Sequence, residues 1–358
     1  MPVKIVSPID GEIVSHRHGK ETERGLEITV KGEAPESTRV TVNGVAAETK
    51  GGRFEATVLL TERETTLTAR NEKGESDSVT VLYDKKSFKR YRFSLDDNIW
   101  FFRDIYRAKC RSIFDNPYMA MWRDFHQRYG TKIHINIYYW TPGFDLSVFP
   151  DTYKSEWRDN ADWLRLTFHA FRDAPSRPYI TAPYEHMAHD FELVTNEIIR
   201  IAGEELLSSF TTVHFAEATR EGCRALRDRG IRGLSGGFRF DSNGKPIIGY
   251  YLDKEQFLHI IERGYWKDTQ EDILFDMLEL CANRGKREEI IPKLEQVAAN
   301  PKHSDVISVI IHEQYFYPEF RGYLPDYRER CEDAIRWLTE HDYKPVFYDD
   351  GILGNTSA

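Results

Sequence analysis

Cysteine is scarce in this chain. Four stand among 358 residues, Cys110, Cys223, Cys281 and Cys331, widely spaced and with no CxxC pair. That argues against a zinc knuckle or a disulfide scaffold and leaves them as buried thiols. Positive charge is also short: 49 Lys and Arg face 58 Asp and Glu, for a net charge of -9, and no basic tract appears. Neutralising nucleic-acid phosphates needs a concentrated basic face, so nucleic acid is not expected as a partner. Long apolar runs are missing too. No stretch reaches the length of a membrane span, and the opening "MPVKIVSPIDG" lacks the apolar centre of a secretory signal. The chain as given reads as cytoplasmic, with no membrane partner, and nothing in it decides for or against a homo-oligomer.

What the sequence does have is length and aromatic weight. A chain of 358 residues exceeds one small core and suggests two domains, and the aromatic share of 13% falls largely after residue 90. Residues 3–84 read as short strands of period two, "LEITVKG", "STRVTVNGV", "GRFEATVLL" and "TTLTARN", split by turn signals such as "VNG" and "NEKGE". The spacing predicts a β-sandwich over residues 1–86. Its rhythm resembles the bacterial immunoglobulin-like modules attached to carbohydrate-active enzymes, which implies a spacer or packing partner more than a ligand binder.

After the charged connector "DKKSFKR" the pattern changes. Strand-like "YRFSL", "KIHINIYY", "DWLRLTF", "FTTVHF", "IRGLSG", "DVISVII" and "KPVFYD" alternate with helical stretches such as "DFELVTNEIIRIAG", "TREGCRALRDRG", residues 271–284 and "DYRERCEDAIRWLTEH". Repeated β-then-α units predict a parallel sheet, and residues 87–358 are expected to form a closed or nearly closed (β/α) barrel, seven-stranded and distorted. The long aromatic connector "WTPGFDLSVFPDTYKSEW" suits a loop covering a substrate.

In a parallel barrel the C-terminal strand ends converge on one face, where polar residues read as catalytic. Four predicted strands end in such residues: Asp96 and Asp97, His169, His214 with Glu217 close behind, and His312 with Glu313. Carboxylates and imidazoles are the ligands a borderline divalent ion takes, and such an ion activates water for attack on a carbonyl. Neighbouring side chains of an extended segment diverge, which would let Asp97 face a metal while Asp96 faces water as a general base.

"FSLDD" at 93–97, "LTFHA" at 166–170 and "VIIHE" at 309–313 resemble, in order and strand position, the first, second and last motifs of NodB-like polysaccharide deacetylases. The resemblance covers residues 90–350 and its motifs are short. It implies a metal-dependent hydrolase removing an acyl group, N- or O-acetyl, from a carbohydrate. Asp96 would be the base, Asp97 and His169 metal ligands and His312 the acid. The metal implied is a divalent ion such as zinc, with nickel, cobalt or manganese as alternatives. Two departures stand out. Asn98 follows the aspartate pair where glycine is usual, and Asp173 stands where a second histidine is expected, four residues after His169. The third ligand is then open among Asp173, His186 and His189, with the two histidines favoured. The arginine-bearing third motif is also missing, and His214 is a candidate for its place.

Substrate contacts are expected from Trp100, Trp140, His214, Glu313 and Tyr315, since sugar rings stack their C–H faces on aromatic planes. Two other readings remain at this stage. Asp96 with Glu313 or Glu217 would make the carboxylate pair of a glycoside hydrolase, or the chain binds carbohydrate without turning it over.

Overall fold

Strict alternation builds the first unit: Arg53–Leu60 buries every second residue, and Gly25–Glu33 nearly so. The computed structural model describes residues 2–303 and 305–358. One sheet of this unit runs Lys4–Ser7, Gly25–Glu33, Arg53–Leu60, Glu48–Lys50, with Lys20–Thr22 also paired to Gly25–Glu33. The other runs Ile13–Val14, Ser76–Tyr83, Glu64–Asn71, Val40–Val42, Val45–Ala46. The inward residues of both, among them Leu26, Val30, Phe54, Leu67 and Val81, form one apolar core. Two sheets sharing one core make a sandwich.

The unit comprises residues 1–88 together with Tyr265–Asp272 and Asn355–Ala358. A single cut after residue 86 therefore differs from the observed division. The two late segments are tied in by hydrogen bonds: Trp266 Nε1–H donates to the Asp10 carbonyl (2.7 Å), Thr269 Oγ1–H to Asp10 Oδ2 (2.5 Å), and Asn355 Nδ2–H to Asp84 Oδ1 (2.7 Å). Nothing in a local sequence pattern signals such distant partners.

The second unit comprises Lys89–Gly264 and Ile273–Gly354 and alternates strands with helices. Its strands are numbered here β1 (Arg90–Asn98), β2 (Ile133–Tyr138), β3 (Leu164–Ala170), β4 (Phe210–Thr211), β5 (Gly233–Gly236), β6 (Ile273–Met277), β7 (Leu280–Cys281) and β8 (Val306–His312). They form two parallel sheets, ordered β3-β2-β1-β8-β7 and β4-β5-β6. Lys344–Pro345 pairs with the start of β1. At one margin Ser208 N–H bonds the Leu166 carbonyl (3.1 Å); at the other the chain passes directly from β6 into β7, where Glu279 N–H to the Ser308 carbonyl (3.0 Å) begins the pairing with β8. The strands thus follow one another in barrel order, but as two sheets rather than one unbroken ladder.

β1, β2 and β8 are buried on both faces; β8 accordingly reads as a near-continuous apolar run, whereas β1 and β2 interleave apolar residues with buried polar ones. Helix Pro117–Tyr129 shows why local signals suffice where they are strong. Asn116 Oδ1 accepts from the N–H groups of Tyr118 and Met119, Pro117 opens the first turn, and Gly130 closes the helix at φ +70°. Residues 271–284, expected as helix, instead form β6, β7 and a following turn. Leu, Met and Glu there favour helix, yet Ile273, Leu274 and Phe275 are buried on both faces beside β5, whose ladder they complete.

Candidate active site

The site grows from the end of β1. The β1–β2 ladder is regular through Leu95, shifts register before Asn98, and has Asp97 in the left-handed region at φ +64°. In a regular strand Asp96 and Asp97 would point to opposite faces. The irregularity turns the chain so that both carboxylates line one cavity of about 500 Å³. The expectation that they diverge is thereby corrected, and the departure from strand geometry is the reason.

Asp96 is fixed through one oxygen. Ser94 Oγ–H donates to its Oδ1 (3.0 Å), as does Asn136 Nδ2–H from β2 (2.7 Å). Asn136 is held in turn, its Oδ1 accepting from Thr212 N–H (3.1 Å). A buried carboxylate held in this way keeps a second oxygen for a reacting group.

Asp97 meets two histidines. His169 from the end of β3 brings Nε2 to 3.0 Å from Asp97 Oδ1, and His214, just beyond β4, brings Nδ1 to 3.3 Å from the same oxygen. The two ring nitrogens are 3.2 Å apart. A carbonyl only accepts, so the outer nitrogens must carry protons: His169 Nδ1–H donates to the Thr212 carbonyl (2.5 Å) and His214 Nε2–H to the Asp173 carbonyl (3.2 Å). The neutral tautomers so fixed aim both inner lone pairs at Asp97. Two lone pairs and a carboxylate facing one another need a cation among them, either a shared proton or a metal ion. Outer N–H groups anchored on carbonyls are the support that metal-bound histidines have. Ligand atoms of Asp97, His169 and His214 all lie within 4.8 Å of one another, and all three residues are buried, so this set fits a divalent ion. Burial opposes the Asp97 charge, but the cation shared with His169 and His214, together with the positive charge of nearby His312, holds its carboxyl well below the usual range. Tyr138, buried at the end of β2, donates its hydroxyl proton to Asp97 Oδ1 and lies 2.9 Å from His214 Nδ1. Burial, reinforced by Asp97, keeps that phenol neutral.

His312 ends β8 directly opposite Asp96 in the β1–β8 ladder and also lines the cavity. Its Nδ1 is 2.8 Å from Asn283 Oδ1, which orients the ring. Burial works against its protonation but is outweighed by Cys281, Asp97 and Asp96, which push it up to about 9. It is a proton donor at neutral pH.

The remaining candidates separate. His186 and His189 are exposed on helix Tyr184–Ile201, outside the cluster. His186 pairs with Asp190 one turn on, at 3.3 Å, so the place beside Asp97 and His169 is filled by His214. Asp173 reaches the cavity rim, its carboxylate 3.8 Å from His214 and largely exposed. Tyr315 lines the cavity with Phe320 and Phe215. Trp100 packs edge-on against Tyr317 and Phe320 under the Arg103 guanidinium, and Trp140 is half-buried near Arg172; neither is a lining residue. Glu313 is fully buried and accepts from the N–H groups of Ile99, Trp100 and Phe101, at 2.8, 2.9 and 2.6 Å. It anchors the start of helix Trp100–Ala108 and does not reach the cavity. Glu217 is gripped by the Arg177 guanidinium through both oxygens. The carboxylate pairs suggested for a glycosidase are thus engaged elsewhere.

Asn136, Tyr138 and Asn283 were not anticipated. A signal for the first two existed: His134, Asn136 and Tyr138 recur at period two within an otherwise apolar strand, and in a parallel barrel strand polar alternation marks the interior face.

No family model and no curated protein matches the chain. Distant solved structures include a CE4 family pseudoenzyme from Bacillus anthracis (TM-score 0.38, 8% identity, 72% of this chain and 63% of that one). A 4-alpha-glucanotransferase from Thermococcus litoralis has TM-score 0.46 and 16% identity, covering 74% and 39%. A putative alpha amylase from Salmonella typhimurium has TM-score 0.25 and 11% identity, covering 88% and 77%. The chain spans less than two thirds of the first two. Likeness at this level decides neither fold nor activity, and the functional argument rests on the site itself.

Proposed function

We propose that this chain is a metal-dependent hydrolase that removes an acyl group, acetyl in the simplest case, from a carbohydrate. The observation that carries the reading is the pair of histidines whose outer N–H groups are anchored on carbonyls while their inner nitrogens face Asp97. In this reading Asp97, His169 and His214 hold the ion. A divalent ion bound there would supply a Lewis acid for the acyl carbonyl and for water.

The other roles follow from what each residue can do. Asp96, steadied by Ser94 and Asn136 on one oxygen, takes a proton from water with the other. His312, across the ladder and oriented by Asn283, gives a proton to the departing nitrogen or oxygen. The acyl carbon leaves as the acid, and the sugar keeps the amine or hydroxyl. Tyr315, Phe320 and Phe215 offer apolar faces to the ring. The short sequence motifs around Asp96, His169 and His312 support the same assignment.

The test is metal content of protein purified without chelators or a histidine tag, beside Asp97→Ala and His214→Ala, together with acetate release from N- and O-acetylated oligosaccharides. Near-stoichiometric metal in the parent, its loss in both variants, and acetate release abolished by Asp96→Asn with metal retained are the expected results. No metal after incubation with zinc, nickel, cobalt or manganese would overturn the reading. Metal without acetate release from any acetylated sugar would leave a binding protein.

A further inference from the structure

The cavity lining carries four cationic side chains, Arg239, Arg284, Arg321 and Lys293. Arg239 lies in the strand just after β5, Arg284 follows β7, and Arg321 follows β8, so three separate segments bring arginine to the same space. Lys293 is paired with Glu289 at 3.1 Å. The three guanidinium groups have no ion pair or hydrogen-bond partner among the described residues.

All three are exposed to the cavity, whereas elsewhere in the unit Arg128, Arg177, Arg229 and Arg287 are each engaged by a carboxylate. Acids outnumber bases in the chain, 58 to 49, so partners are not in short supply. Three of the four acids lining the cavity are occupied, Asp96 by Ser94 and Asn136, Asp97 by the two histidines, and Glu279 by His303 and the Ser308 N–H, while Asp173 stands largely exposed at the rim beside His214. Arg239 is also close enough to Arg284 for the second charge to add to burial in lowering its pKa. Like charges left together at a cavity wall repel, and an oxyanion seated between them relieves the repulsion. Guanidinium suits this task because its planar fork matches a carboxylate or sulfate with two parallel hydrogen bonds.

We propose that Arg239, Arg284 and Arg321 form an oxyanion subsite, so that the carbohydrate taken by the cavity is an acidic one, carrying a carboxylate or sulfate near the acyl-bearing sugar. This rests on the acyl-hydrolase reading for the identity of the ligand as a carbohydrate, but not for the anion preference itself.

The experiment compares equilibrium binding of three N-acetylated tetrasaccharides by calorimetry: a neutral N-acetylhexosamine tetramer, one alternating with uronic acid, and a sulfated form of the neutral one. At least one acidic ligand should bind about tenfold more tightly than the neutral one at low salt, and the preference should shrink as salt rises. Whichever acidic ligand binds best identifies the source of the anion. Arg239→Gln with Arg284→Gln, and separately Arg321→Gln, should abolish the preference while leaving neutral binding unchanged. Inorganic sulfate should compete with the acidic ligand only. Because these guanidiniums hold no protein partner, the variants should keep the parent's melting temperature; where one does not, sulfate competition in the parent decides. Equal affinity for all three ligands, or a preference that survives the substitutions, would overturn the proposal. Acetate release read in the same samples separates the two ideas. Preference without acetate sinks the hydrolase reading alone, and acetate without preference sinks the subsite alone.

Discussion

Replacing Glu313 by glutamine tests what holds the aspartate pair in place. The Glu313 carboxylate, fully buried, accepts three backbone N–H groups at the start of the helix that follows Asp96 and Asp97. Two physical effects oppose each other there. Burial raises its pKa, while the N–H donors, at the positive end of a helix, lower it; burial wins, and the group is pushed up to about 7. An acid with a raised folded pKa binds more protons in the folded than in the unfolded chain, so its contribution to stability falls as pH rises. The loss begins near the unfolded value of 4.5 and is complete above about 7. A rise of about 2.5 units at ~1.36 kcal/mol each gives about 3 kcal/mol.

Glutamine carries no such charge. It does lose one acceptor, leaving the Phe101 N–H or the Ile99 and Trp100 pair facing an amide, at a pH-independent cost of about 1–3 kcal/mol. Glu313→Gln should therefore be the less stable protein at about pH 5, and the gap should close by about 2.5 kcal/mol by about pH 8. Urea unfolding followed by tryptophan fluorescence reads this well. Six of the seven tryptophans, all but Trp266, belong to the second unit, so the signal reports that unit chiefly. A difference constant across pH, or one that widens toward pH 8, would refute the reasoning and mean that the helix N–H groups outweigh burial. Metal content of the variant should match the parent, since Glu313 is an anchor and not a ligand.

Asn136→Ala removes one of the two donors to Asp96 and should lower kcat about 10–100-fold with metal content unchanged, measured as acetate release beside metal analysis; an unchanged kcat would dismiss Asn136 as a positioning residue. His186→Ala should leave metal content intact where His214→Ala abolishes it, because His186 is exposed and tied to Asp190; the reverse result would restore the helix histidines as ligands. Tyr138→Phe deletes the hydroxyl that donates to Asp97 and should weaken metal affinity about 10–100-fold in chelator competition, and an affinity equal to the parent's would show the phenol to be passive.

The parts of this molecule legible in its sequence are those where local chemistry and tertiary structure agree. Alternation in "GRFEATVLL" gives a sandwich strand, and Asn116-Pro117 with Gly130 frames a helix. Where tertiary demand overrides propensity the reading failed: helix-favouring residues at 271–284 became strand because β5 supplied a ladder. Histidine choice failed for a related reason. His186 and His189 looked like ligands by proximity to His169 in sequence, but a helix places i and i+3 by its own axis, and here that face is solvent. His214, farther along the chain, arrives because β4 joins the margin of β3.

The adjacent aspartates show what sequence alone could not supply. In a regular strand two neighbouring carboxylates point apart. The observed arrangement costs backbone strain at Asp97, on the order of 1–3 kcal/mol for a non-glycine residue at positive φ, and adds repulsion between two charges brought to one cavity. Strain of that size persists only where the surroundings over-determine it. Here they do so from both sides: Ser94 and Asn136 hold Asp96, Tyr138, His169 and His214 hold Asp97, and Glu313 holds the next turn of chain. If that bracing is what keeps the turn, relaxing the backbone should be harmless to the fold and harmful to the site. Asp97→Gly should match or exceed Asp97→Ala in stability, because glycine accepts positive φ where alanine does not, while both lose the carboxylate. Urea midpoints that put Asp97→Ala above Asp97→Gly would mean the φ of +64° carries no strain, and the pair would then need another explanation.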